Sequence, residues 1–412
     1  MGTPLKPPAD PADAGVMSGE AWDAFCSTLQ HASRLVLGEG VPDSPRDRSE
    51  GFRYLTRFLA AGINMCIEHA DPDYPEFGRM VDHTMKWGLD APDCLYLYAS
   101  VRGNAAYRIS GNRGSANHID IQVNYGHFAN GAIESWGTIS SLNGFDLDVG
   151  PNGSFELTLS PDERSGSWLR LEPNAEFVLV RQYFNDWDNE RPADVTIERL
   201  GAEYPVPPPR TDQIAARLAR LRMWLEQGGA LWEQMSRAML GLAPNTLMVH
   251  LPQSSDKRAG MRGQAYGIGN FRCAPDEAVI VEFAPPKCHH WSVSLANWYW
   301  ESVDFASRQS SLNGHQARLD ADGVFRGVIA HRDPGVPNWL DTTGHAQGFL
   351  SPRWAYSEQP PREQWPEISA RKVRFDEIRA HLHPSTPTVD PEMRRREIDT
   401  RQRHVRKRYR VF

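Results

Sequence analysis

The chain is poor in cysteine, and what it has is not paired. Its five cysteines, Cys26, Cys66, Cys94, Cys273 and Cys288, are scattered, with no C-x-x-C and no zinc-type spacing. This argues against a disulfide scaffold and for buried thiols in a reducing compartment. Long apolar runs are missing too, so no window meets the requirement for a membrane span. The opening stretch "MGTPLKPPADPADAGVM" lacks the apolar centre of a secretory signal. The expectation is a cytoplasmic protein without membrane attachment, with residues 1–15 a loose Pro-rich tail. Positive charge is short: 45 Lys and Arg face 52 Asp and Glu, a net charge of −7, which argues against nucleic acid as a general partner. There is no G-x-S-x-G elbow, and the Gly-rich "GQAYGIGN" at 263–270 lacks the lysine of a phosphate-binding loop.

What is present is aromatic. Thirteen tryptophans are many for 412 residues; most such rings belong to a core, but aromatics in excess also line apolar pockets and interfaces. Period-3.6 spacing predicts a helix carrying Trp22, Phe25, Cys26, Leu29 and Val36. A second runs from about Ser49 to His69 with Phe52, Leu55, Leu59, Ile63 and Ile67 as its inner stripe. From Asp93 the period changes to two. "CLYLYASVRG" and "AAYRISG" read as hairpin partners, and "HIDIQVNYG" alternates Ile119, Ile121, Val123 and Tyr125 with Asp120, Gln122 and Asn124. "YPVPPPR" is a linker, followed by a helix from about Thr211 to Leu240 and a second set of strands. The basic end, Arg394–Tyr409, reads as a helix docked on this chain or on a neighbouring subunit. The fold class is therefore α+β and β-rich: two antiparallel β-sandwich or jelly-roll-like units, a helical N-terminal segment, a long connecting helix and a C-terminal helix. The expected divisions are 1–15, 16–92, 93–207 and 208–412. No internal sequence repeat is evident.

Two stretches carry capable chemistry. In "HHWSVSLANW", alternation places His290, Ser292, Ser294 and Ala296 on a small, polar face, which requires something bulky above it. The long helix is the expected cover, with a ligand as the alternative. Beyond it lie Trp298, Trp300, Asp304, Arg308 and Asn313, a set able to stack on and hydrogen-bond a flat or sugar-like ligand. The loop "HRDPGVPNWLDTTGH" (331–345) sets His331, Arg332, Asp333, Trp339, Asp341 and His345 on either side of two prolines, Pro334 and Pro337. With His331, Asp333, Asp341 and His345 as acid–base groups, and Arg332 or Arg353 fixing the substrate, it reads as a catalytic loop. His331, Asp333 and His345 also have the ligand types that hold Fe(II) or another divalent metal; the main expectation is no cofactor. The competing structural reading is a proline-built loop in which Asp333 and Asp341 accept backbone N–H bonds.

The segment 279–354, through "WSVSLANWYWESVDF", "RQSSLNGHQARLDADGVFRGVIAHRDPGVPNWLDTTGH" and "RW", resembles the family catalogued as domain of unknown function 1214 (DUF1214). The resemblance implies a β-sandwich, jelly-roll-like fold and brings no catalytic residues. Two functions stay open. One is an enzyme, lyase or hydrolase in type, acting on a small apolar or aromatic molecule in a pocket lined by 298–313 and 331–345. The other is a non-catalytic ligand- or carbohydrate-binding sandwich. A homo-oligomer is expected.

Overall fold

The computed structural model describes residues 11–250, 263–356 and 361–408. Most of the expected N-terminal tail lies outside them, but Pro11–Met17 forms α1, so the tail does not extend to residue 15. Among the described residues, no helix is long and apolar enough to cross a membrane.

The chain is an α+β protein dominated by four sheets, and its two β units are copies of one plan. The first uses β1 (Gly78–Val81), β2 (Cys94–Ser100), β3 (Tyr107–Asn112), β4 (His118–Tyr125), β5 (Gly137–Asn143), β6 (Ser154–Ser160), β7 (Trp168–Arg170), β8 (Ala175–Tyr183) and β9 (Asp194–Arg199). The second uses β10 (Leu247–His250), β11 (Gln264–Arg272), β12 (Glu277–Phe283), β13 (His290–Ala296), β14 (Ser311–Asn313), β15 (Phe325–Ala330), β16 (Trp339–Asp341), β17 (Gln347–Ala355) and β18 (Ser369–Arg374). The first sheets run β1-β2-β8-β4-β5 and β7-β6-β3-β9. The second run β10-β11-β17-β13-β14 and β16-β15-β12-β18. Adding nine to each strand number converts one half into the other. Even the exception to antiparallel pairing recurs, as β6 with β7 and β15 with β16. The turn "NGSF" at 152–155 corresponds to "DGVF" at 322–325, with Gly153 and Gly323 at φ +82° and +76°. This plan corrects the expected hairpin: β2 pairs with β1 and β8, while β3 pairs with β6 and β9 in another sheet.

Helices α2 (Glu20–His31), α3 (Arg34–Leu37) and α4 (Pro45–Ile63) precede the first half, and α5 (Thr211–Met223) and α6 (Gly229–Leu240) connect the two. Serine at the start of α4 accepts the Asp47 N–H at 3.1 Å and Pro45 follows it, as helix entry requires. Single π-helical turns, Asn64–Glu68 and Trp224–Gly228, extend α4 and join α5 to α6. Trp224, which opens the second of them, packs on α4: its ring stacks on Phe58 at 4.1 Å and its indole donates to the Phe58 carbonyl at 2.7 Å.

The buried stripe of α4 is Tyr54, Phe58 and Ala61, continued by Met65, whereas Phe52 is 47% exposed. The expected stripe is thus out of phase, because Leu55, Leu59 and Ile67 lie at its half-buried margin. Phe58→Ala is expected to destabilise by about 3–5 kcal/mol, and Phe52→Ala by under about 0.5 kcal/mol. Urea midpoints of the two variants check the phase directly.

The short helix α7 (Ile378–His381) follows the last strand, and α8 (Pro391–Arg408) closes the chain against both halves. Arg394, Arg401 and Arg408 recur every two turns and are buried. Arg401 donates to the Ser311 carbonyl in the second half. Arg408 reaches the Pro92 carbonyl in the first, with its guanidinium 4.8 Å from the Trp187 ring. This end of the chain is a docked helix on its own protomer, as its composition implied.

Candidate functional site

The two five-stranded sheets turn their polar faces toward each other. Tyr183 of β8 reaches Gln264 of β11 at 3.4 Å, and its ring lies 5.1 Å from that of His290 on β13. His290 donates to Asn185 at 2.6 Å. The small face of β13 is therefore covered mainly by the first half; only Ala296, at its end, joins the core built on the helices. The alternation in β4 has the same explanation. Asp120, Gln122 and Asn124 are as buried as the apolar residues between them, because their face lies against the other sheet.

Between these faces the packing leaves a cavity of about 280 Å³. Tyr96, Arg181 and Tyr183 line it from the first half, Tyr266, Trp300 and Arg353 from the second, and Trp232 and Met235 from α6. Trp87, Leu89, Phe128 and Trp136 complete its apolar walls. One wall is strained. Gly88, Leu89 and Trp300 have φ of +65°, +60° and +57°, and a bulky residue costs about 1–2 kcal/mol there. Surrounding bonds hold it in place. Leu89 N–H donates to the Trp300 carbonyl at 2.7 Å. Asp90 accepts the Ser302 N–H at 2.7 Å and its hydroxyl at 2.6 Å. Lys86 donates to the Ser302 carbonyl at 2.8 Å, and Arg353 donates to the Leu89 carbonyl. Strain of this kind concentrates at binding and catalytic sites.

The cavity's charges are few. Arg181 is held by Asp120 at 3.3 Å and by Gln122 at 2.6 Å. Burial lifts the Asp120 carboxyl to about 6, against the pull of Arg181. Burial drives His290 down to about 3, with Arg353 adding to the effect, so the imidazole stays neutral. Burial also raises the Tyr96 and Tyr183 hydroxyls well above the ordinary phenol. Asp120 and His290 stand behind the lining; the charged residues that line the cavity are Asp90, Arg181 and Arg353.

Of the residues singled out by sequence, Trp300 and Arg353 line this cavity. Asp304 and Arg308 line a separate polar cleft of about 400 Å³ with Glu50, Lys86 and Glu301. Its cations are largely committed: Arg308 pairs with Asp341 at 2.8 Å and Arg57 with Glu301 at 2.9 Å. The loop 331–345 does not assemble a catalytic centre. His331 donates to the Cys273 carbonyl at 2.7 Å, and Arg332 lies over the Phe375 ring. Asp333 accepts the Gly335 N–H at 2.8 Å and pairs with Arg394 at 2.9 Å. Asp341 accepts the Thr343 N–H at 2.7 Å, and Trp339 donates to the Ala330 carbonyl at 3.0 Å. His345 is clamped between Asp47 and Glu50 of α4 at 3.3 and 2.9 Å.

The expected acid–base set is thus dispersed, and the proline-built structural loop is what forms. His331, Asp333 and His345 go to three separate partners, and among the described residues no three His, Cys, Asp or Glu side chains are grouped to hold a metal. That corrects the metal alternative. Asn313 anchors the two halves through Asp93 at 2.7 Å. His290 binds Asn185 as above, and Trp298 accepts the Ser236 hydroxyl on its carbonyl at 2.5 Å; neither lines the cavity.

Composition alone did not point to Tyr96, Arg181 or Tyr266. The usable signal was the recurrence of "NGSF…WL" as "DGVF…WL", which places Tyr96 and Arg181 opposite Tyr266 and Arg353 once the halves are aligned.

A crystal structure of an uncharacterized protein from Burkholderia cenocepacia is 32% identical and superposes with a TM-score of 0.82, covering 90% of this chain and 99% of that one. The chain belongs to the family of that protein. The VPA0106 protein from Vibrio parahaemolyticus is more remote, at 13% identity and a TM-score of 0.41 over 84% of this chain and 100% of that one. No family model matches the chain, and no curated protein does. The family likeness spans both halves and the connecting helices, so it supports the duplicated architecture as a unit.

Proposed function

We propose that the protein binds a small molecule with an aromatic or apolar body in the cavity between its two halves. The observation that carries this reading is the aromatic cavity closed by two bulky residues in left-handed backbone. A cavity of about 280 Å³ is close to the lower end of ligand sites, and half that volume accepts benzene in an engineered core. One ring with a short substituent fits. The likeness of residues 279–354 to the domain of unknown function 1214 family remains part of the proposal, for the second half.

Four tryptophans, Trp87, Trp136, Trp232 and Trp300, line the cavity, so intrinsic fluorescence reports its occupation. Titration with single-ring aromatics is expected to change the emission saturably. Met235→Trp, which fills the cavity from α6, is expected to abolish that response while leaving the circular dichroism spectrum intact. If no single-ring compound produces a saturable change at millimolar concentration, the reading fails.

A further inference from the structure

The duplication supplies an internal control for Arg353. Arg181 on β8 sits between Tyr96 of β2 and Asp120 of β4. Arg353 on β17 sits between Tyr266 of β11 and Ser292 of β13. The two arginines occupy equivalent positions, and so do the two tyrosines. The third member differs. The first half places a carboxylate, Asp120, beside its arginine; the second places a serine.

The consequences are visible in the hydrogen bonding. Arg353 is 5% exposed and forms no ion pair among the described residues. Its Nη2 donates to the Leu89 carbonyl, while its Nη1, buried at the cavity wall, has no hydrogen-bond partner among the described residues. The Ser292 hydroxyl beside it, and the Ser351 hydroxyl on the same strand and face, are also buried without partners among the described residues, behind the cavity lining. A buried guanidinium is stabilised by a carboxylate in the plane of its fork. The first half meets that need from its own chain, and the second half does not.

Resting on the small-molecule reading above, we propose that Arg353 recognises the carboxylate of the ligand, which is therefore a monocarboxylate with an aromatic or apolar body. The ligand's carboxylate takes the place beside Arg353 that Asp120 takes beside Arg181. Its ring or chain then lies among Tyr266, Trp300 and the aromatic walls. One unpaired cation in an apolar cavity suits a monoanion; a dianion would bring a second charge with nothing to meet it.

The test compares isosteres by calorimetry and fluorescence: benzoate with benzamide, hexanoate with hexanamide, and phenyl phosphate as a dianion. The wild-type protein is expected to bind each carboxylate at least about 10-fold more tightly than its amide. Ser292→Asp, which copies the first half's solution, is expected to erase that preference while amide binding persists; Arg353→Met is expected to do the same. If amides and carboxylates bind the wild type equally, the carboxylate assignment is overturned and the cavity reading stands. If phenyl phosphate binds more tightly than benzoate, the ligand class is wrong. If none of the compounds binds, the cavity reading falls and takes this inference with it. The wild-type ratios decide the matter even if a variant misfolds.

Discussion

Raising the pH from about 6.5 to 9 is expected to remove about 3 kcal/mol of stability, and His345→Ala to remove both the stability and its pH dependence. Burial alone would lower the His345 pKa, but its hydrogen bonds to Asp47 and Glu50 outweigh that and raise it to about 9. The gap from the ordinary 6.5 is worth about 3 kcal/mol. Because the folded value is the higher one, the contribution is complete below 6.5 and disappears as the pH rises through 9.

Other groups act on the acid side. Burial pushes His118, His127 and His290 to about 3 and His404 to about 2. They are neutral in the fold and gain a proton on unfolding, so stability falls as the pH drops below 6.5. Asp47 is held low chiefly by its bond from His345; Glu50, despite burial, is held low by the same residue. Both lose their contribution in acid. Asp120, raised to about 6, acts in the opposite sense, but only between its ordinary 3.8 and that value. The buried thiols, raised to about 12, matter only above the ordinary 9. Stability should therefore peak near pH 6.5–7. Urea titrations at pH 6.5, 7.5 and 9 measure it, and a wild-type midpoint that does not move between the last two sinks the claim.

Arg394→Ala is expected to cost about 3–5 kcal/mol, an effect normally associated with breaking a buried ion pair. The Arg394 side chain is 8% exposed and bonds Asp333 at 2.9 Å and both Gln309 and Glu397 at 2.7 Å. It also donates to the Val336 carbonyl at 2.5 Å. Gln309 in turn donates to the Pro337 and Trp339 carbonyls, both at 2.8 Å. Removing the guanidinium leaves a buried amide oxygen and a carbonyl unmet and frees α8 from the 331–345 loop. Asp333→Ala should cost far less, about 1 kcal/mol, since that carboxylate is partly solvated. A denaturant midpoint for Arg394→Ala within the error of wild type would show that the helix is held by its other arginines.

That loop shows where sequence reading succeeds and where it stops. Its prolines, Asx bonds and anchoring tryptophan were legible because they are local. Its partners were not. Asp333 meets Arg394, 61 residues on, and His345 meets Asp47, 298 residues back. Convergence of titratable residues in sequence resembled a site, but Asp333, Asp341 and His345 each meet an opposite charge from another element, while His331 meets a backbone carbonyl and Arg332 an aromatic ring. The strands were legible by their period. Their polar faces were harder to place, since a face buried against a second sheet alternates as one facing water does. On α4 the apolar residues lie on overlapping faces, and the aromatic pair Tyr54 and Phe58 decided the phase through contacts with Tyr299 and Trp224.

The duplicated plan also bears on how the protein is made. Each half has its own hydrophobic core, so each can begin to condense as soon as its strands have left the ribosome. The cavity has no such autonomy. Its walls run from Met80 to Arg353, and the strained Leu89–Trp300 contact joins the two copies directly. On the small-molecule reading proposed above, ligand affinity would not accumulate during synthesis; it would emerge in one step, when the second copy docks on the first. A bound ligand would then act late, as a latch on the completed chain, and neither half expressed alone should retain any part of the site.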